Sequence, residues 1–391
     1  MEIVIGTNKL SESNLFLRCL WAKLRECFGN CGWNYIPFKN GKENTILFGY
    51  ASLDLEMPVR VSVKYKTKGS ISSIYFDFDK DVDGKIFDSI RGCVDAAKRD
   101  FGSPRMRKMA SAIKPFSPYT GAMSLQLGKY QGEHFQVEPG NDGVAKLILN
   151  VPSFDEVDAA TVAKRIGNKL MHLMSVGTNY CFQLVKSESF NPIEVGSAIY
   201  QTDNDWIDSF SVKDGVILIS ESIANLMDNV VKDVESNQLL CLAASHYHHA
   251  LRLQLESSSC YNIFEEMVSV LCISSLEVAA MLYGAEEKNC PSCGNKVYGL
   301  RRRVIDMASR HSPEGVVSFI DKYYAMRSKY LHTGMMLSDR SYSTMSVPTL
   351  DTNSSTGCLH QAPHPPVNII ELTSHLLRKT IVEVQSAGLE S

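Results

Sequence analysis

The chain of 391 residues has almost no net charge, because 40 basic residues nearly balance 43 acidic ones. A net charge of −3 excludes a protein that is basic throughout, so any binding to RNA or DNA must depend on a local basic patch. The hydrophobic fraction of 44% and the charged fraction of 21% are typical of a globular protein, not of a disordered or fibrous one. A chain of this length predicts two or three domains.

The sequence also lacks a long uninterrupted apolar run. Its most apolar window, residues 267–283, contains three serines and Glu277, which favours a buried core helix over a membrane span. Residues 1–9 lack the basic start and apolar core of a signal peptide. The 11 cysteines are odd in number and irregularly spaced, which favours a reducing compartment over a disulfide framework. We therefore expect a cytoplasmic protein with no membrane partner.

The first 235 residues contain no glycine-rich phosphate loop, nucleophile elbow or metal-ligand cluster. Short alternating runs such as Val59–Tyr65 predict strands, and periodic apolar residues predict helices after them. The Pro-, Ser- and cation-rich stretch at 101–121 is typical of a linker. We predict two α+β modules, at 1–105 and 119–235, that serve as a sensor, a dimerisation platform or an RNA-presenting surface.

From residue 237 the apolar residues follow helical spacing. The predicted helices cover residues 237–255, 261–283, 300–309, 313–332 and 367–385. The histidines of the first of these, in His246-Tyr-His-His249, are expected on a polar face. The predicted fold class is therefore α+β, with two N-terminal α+β modules followed by an all-α helical bundle domain at 237–391.

The stretch Tyr323–Gly334 carries the strongest candidate for chemistry. Near the predicted end of this helix, Arg327 provides a permanent cation and His332 a side chain that titrates near neutral pH. Such a pair suits the handling of phosphate. The alternative is structural, because cations are favoured at helix C-termini in any protein.

Four motifs follow one another in this part of the chain. They are Tyr247-His-His-Ala-Leu-Arg252, Glu277 in an apolar helix, Cys290-Pro-Ser-Cys293-Gly, and Arg327-Ser-Lys-Tyr-Leu-His332-Thr-Gly. Their order resembles the HEPN superfamily, most closely its Apea-like branch, which is associated with bacterial abortive-infection defence. The resemblance covers about residues 237–390. Many members of the family carry Asn, Asp or His after the Arg, where this chain has Ser328.

The resemblance implies a metal-independent endoribonuclease of the defence or toxin type, with no catalytic cofactor. RNA supplies its own nucleophile, the 2′-OH, so His332 would move a proton and Arg327 would bind the phosphate. Ser328 and Glu277 complete the expected catalytic set, with Glu277 orienting an Arg, although a buried carboxylate with a purely structural partner is the alternative. One alternative function is a non-catalytic HEPN module that binds RNA, a nucleotide or a protein partner. Another is a scaffold in which the Arg and His are merely structural.

The spacing of the pair constrains its geometry. Residues five apart on an ideal helix lie about 140° apart, so Arg327 and His332 do not share a face. Either the last turn unwinds near Gly334, or the active site takes its Arg and His from two protomers. The resemblance favours a homodimer. The expected partners are RNA, with tRNA as a candidate, and a trigger or inhibitor protein.

Residues 294–330 form a local basic segment, in which eight basic and three acidic residues give +5. A basic face beside the motif would attract a polyanion, and the alternative is an ordinary solvated helix surface. Tyr324 is expected to pack or to stack on a base. The predicted RNA-binding residues are Arg301, Arg302, Arg303, Lys329 and Tyr330.

Cys290 and Cys293 have the spacing of half a zinc knuckle. Cys358 and His360, with His364 as a substitute, could supply the remaining ligands from the long loop after the motif. The motif is compatible with either a structural zinc site or a reduced surface pair of cysteines, because the second pair of ligands does not follow a standard spacing.

Overall fold

The structure is a computed structural model of the chain. It describes residues 1–29, 31–40, 44–53, 55–78, 83–118, 125–186, 190–197, 199–200, 206–207, 211–257, 264–283, 299–334, 352 and 366–387. The chain divides into two compact units, and each is treated by itself below. The first comprises Met1–Met109 and Val151–Ala163, and the second comprises Ala110–Asn150 and Lys164–Ser391.

The elements are numbered in chain order. The strands are β1 Glu2–Val4, β2 Gly32–Asn40, β3 Thr45–Ser52, β4 Val59–Tyr65, β5 Ile71–Asp77, β6 Arg105–Phe116, β7 Gln126–Leu127, β8 Tyr130–Gln131, β9 Phe135–Pro139, β10 Ala145–Ser153, β11 Cys181–Leu184, β12 Ile199–Tyr200, β13 Val212–Lys213, β14 Val216–Ile217 and β15 Ile219–Ser220. The helices are α1 Leu10–Phe28, α2 Gly84–Asp100, α3 Glu156–Thr178, α4 Glu221–Lys232, α5 Gln238–Ser257, α6 Glu265–Ala280, α7 Leu300–His311, α8 Glu314–Thr333 and α9 Pro366–Ala387.

The first unit is built on an antiparallel sheet of order β1-β5-β4-β3-β2. Helices α1 and α2 pack against each other and share one apolar core with the sheet. Phe16, Leu20 and Leu24 recur at helical spacing on α1 and are buried in that core. Asp83 caps α2, because its side chain accepts a hydrogen bond from the Lys85 N–H at 3.1 Å.

Strand β6 corrects the prediction of a linker. Residues 105–116 form a strand that lies between β11 and β10 in a second sheet of order β11-β6-β10-β9-β8. The prediction was wrong because it relied on local composition. Hydrogen bonds from neighbouring strands, for example between Phe116 and Cys181, outweigh a Pro- and cation-rich sequence.

The C-terminal part of the second unit is helical. Helix α6 lies at its centre and packs against α5, α7, α8 and α9. The window Glu266–Tyr283 is long and apolar enough to cross a membrane, yet half of it is buried inside the protein. This burial fits the predicted core helix, and the fold is compatible with a soluble protein. The α+β N-terminal region followed by a helical C-terminal region confirms the predicted fold class, whereas the predicted domain limits at 105, 119 and 237 stay a prediction.

Candidate functional site

Glu277 on α6 and Arg327 on α8 form a bidentate ion pair. The Arg327 Nη1 and Nη2 donate to the two carboxylate oxygens of Glu277, each at 3.1 Å. The two side chains are 20% and 13% exposed, so the pair is shielded from most solvent. The contact with an Arg of the motif is present as expected, whereas the orienting and catalytic roles of Glu277 stay predictions.

Tyr324 completes the cluster from the same helix as Arg327. The two residues are three apart on α8 and therefore lie on one face. The Tyr324 hydroxyl donates to Glu277 Oε1 at 2.7 Å, and the guanidinium lies 5.8 Å from the ring centre. Burial, followed by the bond to Glu277, raises the pKa of Tyr324 to about 12, so the phenol keeps its proton at neutral pH. The three-residue spacing was the signal in the sequence, but it did not identify the carboxylate that Tyr324 meets.

Arg327 keeps one donor that Glu277 does not use. Its Nε–H is buried and makes no hydrogen bond within the part of the chain that the structure describes. A buried donor left unbonded costs about 1–3 kcal/mol.

His332 lies near the end of α8, and its side chain is exposed. The helix stays regular to Thr333, and Gly334 then takes a left-handed conformation with its N–H bonded to the Tyr330 carbonyl at 2.9 Å. The alternative in which the last turn unwinds is therefore wrong. Arg327 and His332 differ by about 140° around the helix and by about 7.5 Å along it. Within one chain the two side chains leave the helix on different faces, and the half-buried Ser328 follows Arg327.

The predicted RNA-binding residues separate into paired and unpaired cations. Arg301 donates to both oxygens of Asp321 at 2.7 and 2.8 Å, and Arg302 lies 3.8 Å from Asp306. These contacts neutralise part of the predicted basic face. The Nε of Arg303 is buried and makes no hydrogen bond to a described residue.

The other two predicted RNA contacts are on α8. Lys329 is exposed, and the Tyr330 hydroxyl lies 4.0 Å from the Met267 sulfur. Arg301 bonds to Asp321, three residues before Tyr324 on α8, so the start of α7 packs against the helix that carries Tyr324 and Arg327. The structure thus brings Arg301 near the candidate site, and the RNA-binding role of all five residues stays a prediction.

The histidines of α5 differ from the expected polar face. His248 is buried, with its Nδ1 2.9 Å from the Ser175 hydroxyl and its ring 4.5 Å from that of His172. Burial lowers the pKa of His172 to about 4 and that of His248 to about 3, so both are neutral at physiological pH. His249 is exposed, as expected. Burial also lowers the pKa of His246, and the nearby Glu277 opposes that shift.

The predicted zinc ligands lie outside the described residues. This applies to Cys290, Cys293, Cys358 and His360, and to the substitute ligand His364. Among the residues that the structure does describe, no group of three or more His, Cys, Asp or Glu side chains could hold a metal ion. The structural zinc site therefore stays a prediction.

Comparison with known proteins gives no relative for this chain. No family model, no curated protein and no solved structure matches it. The resemblance to the HEPN superfamily consequently rests on the four sequence motifs alone, and the function must be argued from the residues.

Proposed function

We propose that the chain is a cytoplasmic, metal-independent endoribonuclease of the HEPN type that acts as a homodimer. The observation that carries the proposal is the fixed guanidinium of Arg327, held by Glu277 on the helix that also presents the exposed His332. We expect a defence or toxin-type effector whose RNA substrates include tRNA. The N-terminal region would regulate it in response to a trigger or an inhibitor protein.

The proposed reaction uses the ribose 2′-OH as nucleophile. The 2′ oxygen attacks the adjacent phosphorus, and the bond from phosphorus to the 5′ oxygen breaks. His332 accepts the proton of the 2′-OH or protonates the departing 5′ oxygen, as an imidazole can act as either a base or an acid. Arg327 donates to the phosphate oxygens as negative charge builds up on them. The products are a 2′,3′-cyclic phosphate and a 5′-OH.

The helix geometry supports the proposed homodimer. Since Arg327 and His332 leave α8 on different faces, a second copy would bring a His towards each Arg. Leu331, which directly precedes His332, is 50% exposed. Met267, whose sulfur lies next to the Tyr330 hydroxyl, is 41% exposed. Apolar surface beside an incomplete site favours self-association.

One observation favours the second candidate, a non-catalytic module that binds RNA, a nucleotide or a protein. Both Nη groups of Arg327 already bond to Glu277, and Asp321 neutralises Arg301. A binding module needs no proton carrier, so its RNA affinity would not depend on His332.

Two assays with the same set of proteins distinguish the nuclease from the binding module. Total RNA is incubated with the purified full chain in the presence of EDTA, and the same chain is expressed in growing cells. We expect cyclic phosphate ends and growth arrest with the wild type, loss of both with His332→Ala, and no loss with His249→Ala, an exposed histidine on α5. Intact RNA together with normal growth for all three proteins would contradict the nuclease.

A further inference from the structure

A cleft in the first unit has no role in the proposed nuclease. Its volume is about 930 Å³, which lies within the range of small-molecule sites. Helix α1, the end of α2, the start of β6 and residues 153–157 line it, and all of these lining residues belong to the first unit. The cleft is therefore a property of that unit alone.

Positive charge exceeds negative charge among the lining side chains. Two of the five cations have partners in the wall, because Arg25 donates to both oxygens of Asp155 at 2.7 and 3.0 Å and Lys23 lies 2.9 Å from Asp100. The bond to Asp100 raises the pKa of Lys23. These pairs fix the wall of the cleft. The three cations that remain are Arg99, Arg105 and Arg107.

The three arginines come from two elements that meet at the cleft. Arg105 and Arg107 are two apart on β6 and so point to the same side of the strand. Arg99 lies in the last turn of α2. Arg107 is the most enclosed of the three, and its Nη2 donates to the Phe154 carbonyl at 3.4 Å. Its Nε–H is buried and donates to no described residue.

The side chains define the chemistry of the ligand. Guanidinium groups match the geometry of phosphate oxygens and bind them with two hydrogen bonds at once. The lining has five cations and four carboxylates, and Asp100 and Asp155 offset part of the charge of the three arginines. Because these three arginines form no salt bridge with a described residue, their guanidinium groups can bind an anionic ligand. Phe154 and Val157 add apolar surface on one side of the cleft.

We propose that this cleft binds a polyphosphate group, such as that of a nucleoside triphosphate. Arg99, Arg105 and Arg107 hold the phosphates, and Phe154 and Val157 face the rest of the ligand. Binding at this site does not depend on the nuclease activity proposed above. It gives the N-terminal region a ligand to sense, although the sequence of that region contains no phosphate-loop motif.

The test is calorimetric titration of the full chain with ATP, with inorganic triphosphate and with adenosine. We expect both triphosphates to bind and adenosine not to bind. Arg99→Ala and Arg107→Ala should each weaken binding about tenfold, the loss expected for a charged hydrogen bond. The matched control is Arg91→Ala, which removes an exposed cation from the same helix as Arg99 but away from the cleft, and it should leave affinity unchanged.

Three results would overturn the proposal: no binding of either triphosphate at millimolar concentration, equal binding of adenosine, or equal weakening by Arg91→Ala and Arg99→Ala. The last result would mean attraction by general surface charge. Arg107 also bonds to the backbone, so a variant there could lower stability. Arg99 is exposed, so Arg99→Ala tests binding without that complication. RNA cleavage is measured separately, so failure here and failure of the nuclease are distinguishable.

Discussion

Two Arg–carboxylate pairs, one in each unit, have similar hydrogen-bond distances but different surroundings. In the first unit, Arg18 donates to both oxygens of Asp158 at 2.9 and 3.0 Å and also to the Pro152 carbonyl at 2.7 Å. In the second unit, Arg327 donates to both oxygens of Glu277 at 3.1 Å. Arg18 uses its Nε in the pair, whereas Arg327 uses both Nη groups and leaves its Nε–H buried and unbonded among the described residues.

The difference teaches that the ion pair itself does not mark a functional site. The Arg18 pair joins α1 to the start of α3 and the strand before it, and Asp158 accepts a further bond from the Phe154 N–H at 3.0 Å. Its polar groups serve the fold. Arg327 is fixed by its pair on the same helix that presents the exposed His332. The combination of the two residues, rather than the pair alone, supports the proposed function.

The largest expected effect comes from removing each Arg in turn. Arg327→Ala should lower RNA cleavage about 10²–10³-fold, as expected for loss of a group that stabilises charge in the transition state. Arg18→Ala should leave the cleavage rate of the folded protein unchanged, because that side chain is committed to structure. Single-turnover rates measured by gel for both variants check this. Equal losses would break the distinction between the two pairs.

Removing either carboxylate tests the comparison by its effect on the free energy of unfolding. Asp158 is 7% exposed, and Asp158→Ala should lower the free energy of unfolding by about 3 kcal/mol, because it leaves both Arg18 and the Phe154 N–H without their acceptor. Glu277→Ala should cost about 2 kcal/mol, since it leaves only Arg327 and the Tyr324 hydroxyl without their acceptor. Urea unfolding followed by circular dichroism measures both. A greater loss for Glu277→Ala would make its role primarily structural.

The two units should also respond differently to acid. His172 and His248 in the second unit have a pKa of about 4 and about 3 when folded, below the ordinary 6.5, because burial disfavours the cation. The unfolded chain therefore binds more protons below pH 6.5, and stability should fall from pH 6.5 towards pH 4 by on the order of 3 kcal/mol for each of the two histidines. In a pH series of urea titrations, His248→Asn should flatten this dependence. An unchanged slope in that variant would contradict the assignment.

In the first unit, the pH range over which stability is lost is lower. Burial opposes ionisation of Asp155, but hydrogen bonds from Arg25 and from the Asp158 N–H outweigh it and lower the pKa of Asp155 below its ordinary 3.8. The stabilisation by that carboxylate is present above the ordinary value and is lost only as the pH falls below it. We expect hydrogen exchange at pH 5 to report opening of the second unit before the first. The reverse order would show that other groups control the acid response.

The smallest expected effect is that of Tyr324→Phe. The variant keeps the ring and removes the hydroxyl that donates to Glu277, so Glu277 should orient the Arg327 guanidinium less well. Cleavage should fall about fivefold, in line with one hydrogen bond, while the unfolding midpoint changes little. A marked loss of stability without loss of cleavage would place Tyr324 among the packing residues.

The helical region could be read from the sequence to a large extent, and the site only in part. Apolar spacing predicted α5 to α9 because each buries a continuous face, and Gly334 marked the end of α8. Sequence motifs also pointed to Glu277 and Arg327. Tyr324, the burial of His248, and the cleft around Arg107 depend on contacts between residues 47 to 73 positions apart, which local patterns do not contain.

The central claim, that each active site takes Arg327 from one protomer and His332 from the other, has a direct test. Inactive Arg327→Ala and His332→Ala proteins are mixed, allowed to exchange subunits, and assayed on total RNA. Half of the dimers are then mixed and each has one intact site, so about a quarter of the wild-type rate should return. The double variant Arg327→Ala, His332→Ala mixed with either single variant should stay inactive. A mixture of the two single variants that remains inactive, beside an active wild type, would contradict the shared site.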